Sequence, residues 1–427
     1  MGHVETAVDN HAPRQTLLTR AAARAAHASQ ATRALGVAAV SLALGLFQLG
    51  QPSLWVDESF TARAMKFSYA RLVHEHHWLY YTLMKPWTAV AGTSEIALRL
   101  PSVVAAAAAC ALLVPLGDRL LGRPVGTIAG LVLALNAFVV QWSQQARSYS
   151  FVLLGAVVAT MALVRLERDR TRRSWLLYTA ALGGLLLFQP LSAGLLAAAH
   201  ALAARGSRLR VVAAGIAVVV LASPYLIGVY RRDSEGGTLV WNKAADGEAI
   251  TRALLELSGA VGIGLILSLC ALALVRRGRW LLVSWAIAPF AIALALTPVA
   301  DVFIDRYLIV SAPAFALLVA VALDRLRGPW RVGAVGTLAL GLVAGLLIWY
   351  APDGSDNWTG QDWKAATRFA MARGGATVDP TWARSVYWYY GGVEADNGLY
   401  LALAGFGGGP QTALEATFGE DLRVERR

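Results

Sequence analysis

The chain has 427 residues, 57% of them hydrophobic and only 15% charged, and its mean hydropathy is positive, values that point to a polytopic membrane protein. A formal charge of +11 raises nucleic-acid binding as an explanation, until the placement of the charges accounts for it otherwise. Cys110 and Cys270 both fall in apolar segments, which argues against a disulfide or a metal site and leaves them as small core residues.

Residues 1–33 are polar and carry Arg14, Arg20, Arg24 and Arg33 without apolar periodicity, as expected of a disordered or loosely helical cytoplasmic tail. The apolar run from Ala34 to Gly50 resembles a signal-peptide core. Gln48-Leu49-Gly50-Gln51 offers no small-x-small cleavage site, however, so the run is expected to stay as an uncleaved anchor. Directly after it comes Trp55-Val56-Asp57-Glu58-Ser59-Phe60. Carboxylates just outside the hydrocarbon escape the full cost of charge in lipid and can take a proton from a hydroxyl. Asp57 is equally suited to capping a short helix.

The first loop, 52–100, is far longer than a connecting turn, and its amphipathic stretch Phe60–Val73 predicts helices lying on the membrane surface. It then carries His74-Glu75-His76-His77-Trp78-Leu79-Tyr80-Tyr81. His74, Glu75 and His76 follow no established metal spacing, so His76 is better used on a phosphate oxygen or a sugar hydroxyl, while Trp78, Tyr80 and Tyr81 also suit a headgroup anchor. Lys85 follows, and Glu95 and Arg99 then stand at i,i+4, which predicts a local ion pair.

Apolar segments of spanning length recur at 34–51, 101–117, 124–141, 149–164, 174–189, 191–204, 211–229, 257–275, 280–298, 307–323 and 332–350, about eleven in all. Arginine-rich turns separate alternate spans. Tail and turns together hold 20 basic and 6 acidic residues, and the opposite side 18 basic and 21 acidic. That segregation follows the positive-inside rule, explains the basic charge without nucleic acid, and puts the N-terminus in the cytoplasm and the C-terminus outside. Arg147, in Gln141-Trp142-Ser143-Gln144-Gln145-Ala146-Arg147-Ser148-Tyr149, and Arg306, in Asp305-Arg306-Tyr307, stand at outward span ends. Each suits either snorkelling to lipid headgroups or holding a phosphate. The segment 230–256 is polar, with Lys243 among its charges. The region 351–427 is rich in Gly, Trp and Tyr, including Tyr387-Trp388-Tyr389-Tyr390 and Gly405–Gly409. At roughly 75 residues it is marginal for a core of its own and is expected to pack on the first loop. No P-loop or GxGxxG pattern for a soluble nucleotide is present.

In order, the set comprises the acidic pair Asp57-Glu58, a His-(Pro-Pro)-Leu-Tyr-Tyr element at His76–Tyr81, a Glu-x-x-x-Arg-Leu-Pro-Ser element at Glu95–Ser102, a Ser-Gln-x-Ala-Arg-x-Tyr element at Ser143–Tyr149 and the late Arg306-Tyr307. It resembles the GT-C glycosyltransferases of glycosyltransferase family 39, which groups protein O-mannosyltransferases with bacterial aminoarabinose and related transferases. The likeness covers about 34–350 and is clearest over 52–150. His77-Trp78 stands where Pro-Pro is usual, and Phe188-Gln189 replaces a His-Tyr type sequence.

The resemblance implies an all-α polytopic GT-C bundle of about eleven spans at 34–350, with surface helices in the first extracytoplasmic loop and a small extracytoplasmic region at 351–427. It also implies a polyprenyl-phosphate-linked sugar donor and transfer on the outer face of the plasma membrane, to a hydroxyl on a glycan, glycolipid or protein. The expected mechanism is inverting and needs neither metal nor cofactor. Asp57 takes the acceptor proton, Glu58 orients the acceptor or holds Asp57, and Arg147 and Arg306, supported by Lys85 and His76, hold the phosphate. Tyr80, Tyr81 and Tyr149 are the candidates for substrate contact, and Trp388 and Tyr389 for stacking on sugar faces. The alternatives are a lipid or solute transporter, since Pro224, Pro289 and Pro313 interrupt helices, and a non-catalytic accessory subunit of the same fold.

Overall fold

The computed structural model of the protein describes residues 12–122, 124–236, 245–276, 278–298, 302–351, 362–372 and 384–392. Lys243 and the Gly405–Gly409 run lie outside them. The described residues are helical, in the order α1 (Ala12–Leu46), α2 (Val56–Ala64), α3 (Tyr69–Leu72), α4 (Trp78–Ala91), α5 (Glu95–Leu121), α6 (Val125–Ala134), α7 (Ala137–Ser143), α8 (Tyr149–Asp169) and α9 (Arg172–Phe188). There follow α10 (Pro190–Ala203), α11 (Arg208–Gly236), α12 (Gly247–Ser258), α13 (Ile263–Leu274), α14 (Arg279–Leu296), α15 (Ala312–Arg325), α16 (Gly328–Tyr350), α17 (Trp363–Met371) and α18 (Arg384–Gly391).

By length and composition six helices among the described residues can cross a membrane, or up to eight if each of two bent pairs is one span. All eleven apolar segments read from the sequence fall on helices. Three of them are not in that set: α1, and α9 and α10, which have 17 and 14 residues. Helix α1 runs unbroken from Ala12 to Leu46, so the described part of the expected tail is helical and continuous with the first apolar segment.

Two breaks were not foreseen. The segment 124–141 bends by 61° between α6 and α7, where Asn136 leaves the helix and caps the next one by accepting from Phe138 N–H at 3.0 Å. The segment 257–275 belongs to a pair, α12 and α13, that meets at 102° across Gly259–Gly262, where four successive residues have positive φ. Asn136 also donates to the carbonyls of Glu256 and Leu257 at 3.1 and 3.3 Å, so the two breaks are tied together.

Small residues set the packing. A Cβ on Gly126 would lie 2.1 Å from the Val114 carbonyl, so only glycine lets α6 approach α5. Helix α15 is buried from Ala312 to Leu323, while α11 and α16 turn large apolar side chains such as Leu221, Leu340 and Leu347 outward, as lipid-facing helices do. At one end of the bundle lie the arginine-rich turns, where Arg33 and Gln30 of α1 meet Asp118 of α5 at 2.7 and 2.8 Å. At the other end lie α2, α3, α4, α17 and α18.

Candidate active site

Helix α2 is anchored by a buried ion pair. Glu58 is 0% exposed, and Arg99 donates to its carboxylate twice, Nε to Oε1 at 2.8 Å and Nη2 to Oε2 at 2.7 Å. The remaining donors of Arg99 go to the carbonyls of Leu49, Pro52 and Ser53, which fix the chain entering α2. Oε1 of Glu58 also accepts from the Ala146 amide at 2.7 Å, and Thr61 donates to the Ala146 carbonyl at 2.8 Å. The Gln144–Ser148 turn between α7 and α8 is therefore clamped onto α2, and Ser102 of α5 adds a bond to the Arg147 carbonyl at 3.1 Å.

That clamp sets Arg147 against Asp57. Arg147 Nη2 lies 3.6 Å from Asp57 Oδ2, and Nη1 donates to the Asp57 carbonyl at 3.3 Å and to the Tyr81 hydroxyl at 3.2 Å. Burial raises the Tyr81 hydroxyl above its usual range, so it stays neutral and accepts. Nη2 also lies 3.2 Å from His77 Nε2, while the Nε of Arg147 is buried with no partner among the described residues. Adjacent helical residues point about 100° apart, which is why Glu58 enters the core while Asp57 stays half-buried at its edge. Asp57 Oδ1 has no partner among the described residues.

Arg306 approaches the same cluster from the 3-10 turn Asp305–Ser311 ahead of α15. Its guanidinium stands over the rings of Trp142 and Tyr307, at 6.0 and 5.7 Å from their centroids, and feels the charges of Asp57 and Asp305. It makes no side-chain hydrogen bond among the described residues, and its Nε is fully buried. Tyr149, packed edge-on to Trp142 at 4.7 Å, lies close to both guanidinium groups.

Other candidates are placed differently. Lys85 donates to the carbonyls of Met65 and Phe67, both at 2.8 Å, so it closes the C-terminal end of α2 and does not join the arginines. His76 is half-buried beside the site, and it is His77 whose imidazole enters. Tyr80 packs in the core against Phe151 at 5.5 Å, whereas Tyr81 reaches Arg147. The expected Glu95–Arg99 pair does not form. Glu95 accepts instead from Lys364 at 3.0 Å and Tyr390 at 3.1 Å, because Arg99, one turn on, faces the deeper carboxylate of Glu58. Tyr390 also accepts from Leu54 N–H at 2.6 Å, and Ser385 meets Ser59 at 2.6 Å, so α17 and α18 rest on the first loop. Trp388 lies under the ammonium of Lys66, and Tyr389 donates to the Thr93 carbonyl. No group of three or more His, Cys, Asp or Glu able to hold a metal ion comes together among the described residues.

Residues 76–227, which include His77 and Arg147, match the family model described as dolichyl-phosphate-mannose-protein mannosyltransferase. Among solved structures, ArnT from Cupriavidus metallidurans bound to undecaprenyl phosphate is similar with a TM-score of 0.57 at 16% identity, covering 84% of this chain and 74% of that one. The apo form of the same ArnT gives 0.54 at 17% identity, with the same coverage. No curated protein matches the chain. Identity this low speaks to fold, and the fold is helical, multi-pass and shared over most of both chains. The chain is therefore a polytopic membrane protein of the GT-C glycosyltransferase fold, matched over residues 76–227 by the dolichyl-phosphate-mannose-protein mannosyltransferase family.

Proposed function

We propose that the protein is an inverting glycosyltransferase that moves a sugar from a polyprenyl phosphate to a hydroxyl acceptor on the outer face of the plasma membrane. The observation that carries this reading is Arg306, a guanidinium with a buried Nε and no hydrogen-bond acceptor among the described residues, beside a second guanidinium, Arg147, with the same orphaned Nε. Buried cationic donors without acceptors are costly, and an anion brought by the substrate removes that cost. The ArnT of similar fold is bound to undecaprenyl phosphate, a ligand of the required chemistry.

In the step that follows, the acceptor oxygen bonds to the anomeric carbon as the bond from that carbon to the phosphate oxygen breaks. The hydroxyl proton passes to Asp57, whose carboxylate is about a quarter exposed, and the configuration inverts. The polyprenyl phosphate leaves as an anion and is held by Arg147 and Arg306, so no general acid is needed. Glu58 takes no part in proton transfer, since both its oxygens are engaged. It positions the turn that carries Arg147.

The test uses full-length protein in nanodiscs, labelled polyprenyl-phosphate sugar with acceptor extract, and undecaprenyl phosphate as a binding probe. Asp57→Asn is expected to bind the probe like wild type and to lose transfer by about 10²- to 10⁴-fold. Arg306→Gln is expected to weaken probe binding by about tenfold or more. Wild-type transfer by the Asp57 variant, or wild-type probe binding by the Arg306 variant, overturns the corresponding role.

A further inference from the structure

The two places where the chain departs from the family pattern, His77-Trp78 and Phe188-Gln189, meet in the structure, with His77 Nδ1 3.0 Å from the Phe188 carbonyl. That carbonyl is open because α9 stops there. In a continuous helix it would accept from the amide of residue 192, but Gln189 is extended and Pro190 follows. Ser192 N–H is taken by Gln189 Oε1 at 3.3 Å.

On the far side of the ring, His77 Nε2 lies 3.2 Å from Arg147 Nη2. A guanidinium only donates, so Nε2 is the acceptor and the ring proton sits on Nδ1. There the Phe188 carbonyl and the Ser148 hydroxyl, at 2.8 Å, are both able to accept. The rings of Tyr81 and Tyr149 stand edge-on to the imidazole at 6.3 and 6.1 Å. The backbone of His77 is left-handed, with φ +64°, which swings the side chain inward and which neighbours on several sides must hold in place.

We propose that His77 is a positioning residue for Arg147: its Nε2 lone pair fixes the guanidinium plane, leaving the Nε–H of Arg147 for the donor phosphate. This rests on the donor reading above. The pattern has a physical logic: of the other Arg147 contacts, two belong to Asp57 and one to Tyr81, with the Tyr149 hydroxyl also close to the guanidinium. Without the His77 acceptor, less opposes a turn of the guanidinium onto the Asp57 carboxylate. The imidazole must stay neutral to accept. Burial first, and then the charge of Arg147, hold it well below the usual histidine range, against an opposing effect of the Phe188 carbonyl.

The test again uses full-length protein in nanodiscs, with undecaprenyl phosphate as the probe and ¹⁵N-labelled histidine. The wild-type His77 signal is expected to show Nδ1 protonated and Nε2 bare from about pH 6 to 8. A ring protonated on Nε2, or titrating in that window, overturns the proposal whatever the probe does. His77→Phe keeps a flat ring and removes the acceptor, and is expected to weaken probe binding about tenfold. His77→Gln, whose amide oxygen can accept from Arg147, is expected to restore most of the loss. Wild-type binding by the Phe variant, or a Gln variant as weak as Phe, overturns it. A wild-type protein that does not bind undecaprenyl phosphate at all sinks the donor reading instead, and the ring tautomer then decides this one alone.

Discussion

Asp57 and Glu58 are neighbours in the chain and opposites in chemistry. Glu58 is sealed in the protein with a guanidinium and two backbone amides, so its worth is structural. Removing one partner of such a pair leaves an uncompensated buried charge. Glu58→Gln is therefore expected to lower unfolding stability by about 3–5 kcal/mol, read by denaturation in detergent. Glu95, whose partner Lys364 is about a third exposed, gives the contrast: Glu95→Gln is expected to cost less than about 1 kcal/mol. The reverse order would mean that Arg99 pairs with Glu95 after all. Sequence spacing favoured that pairing, since i,i+4 is visible in a string of letters. The true partner lies 41 residues away and emerges only when α2 folds against α5. His76 and His77 show the same limit. Both stand in one run of residues, and only the left-handed turn at His77 decides which ring enters the site.

At the scale of elements, the apolar segments were legible because lipid demands long apolar runs, and each of them falls on helix, two of them broken. Of their breaks, the one between α6 and α7 carries a mark in Asn136, a capping residue inside an apolar run, whereas the one between α12 and α13 has only glycines to show it. The turn between α12 and α13 is made by backbone conformation, Gly259 and Gly262 taking φ +78° and +91°. Its tightness is set at Gly264, where a Cβ would stand 1.9 Å from the Ser258 carbonyl, a contact that backbone cannot relieve. Gly264→Ala is expected to destabilise the protein by more than about 2 kcal/mol. Gly333→Ala, on α16 with open space around it, is expected to stabilise slightly, by up to about 1 kcal/mol. Equal effects at the two positions, in the same unfolding assay, would show that the turn tolerates a side chain. The consequence reaches the site, because α12 holds Asn136 at the other break, and α7 leads from Asn136 directly to Arg147.

At the scale of the whole molecule, the bundle has two chemically different ends. One gathers the arginine-rich turns and the Arg33–Asp118 pair. The other gathers Asp57, His77, Arg147 and Arg306, at the end where α17 and α18 rest on the first loop. Cations at span ends are retained on the cytoplasmic side during insertion, so the second end should face outward, where a sugar carried by lipid can be reached and a nucleotide sugar cannot. Two positions report on this directly. Val90, on α4, is 89% exposed at the site end, and Leu209, beside the turn carrying Arg205, Arg208 and Arg210, is 86% exposed at the other. In a background with Cys110 and Cys270 replaced by Ala, Val90→Cys is expected to react with a membrane-impermeant maleimide in intact cells. Leu209→Cys is expected to react only after the membrane is opened. The opposite pattern would place Asp57 in the cytosol, and with it the acceptor and the departing polyprenyl phosphate, so transfer on the outer face would have to be abandoned even if both arginines still bound the lipid.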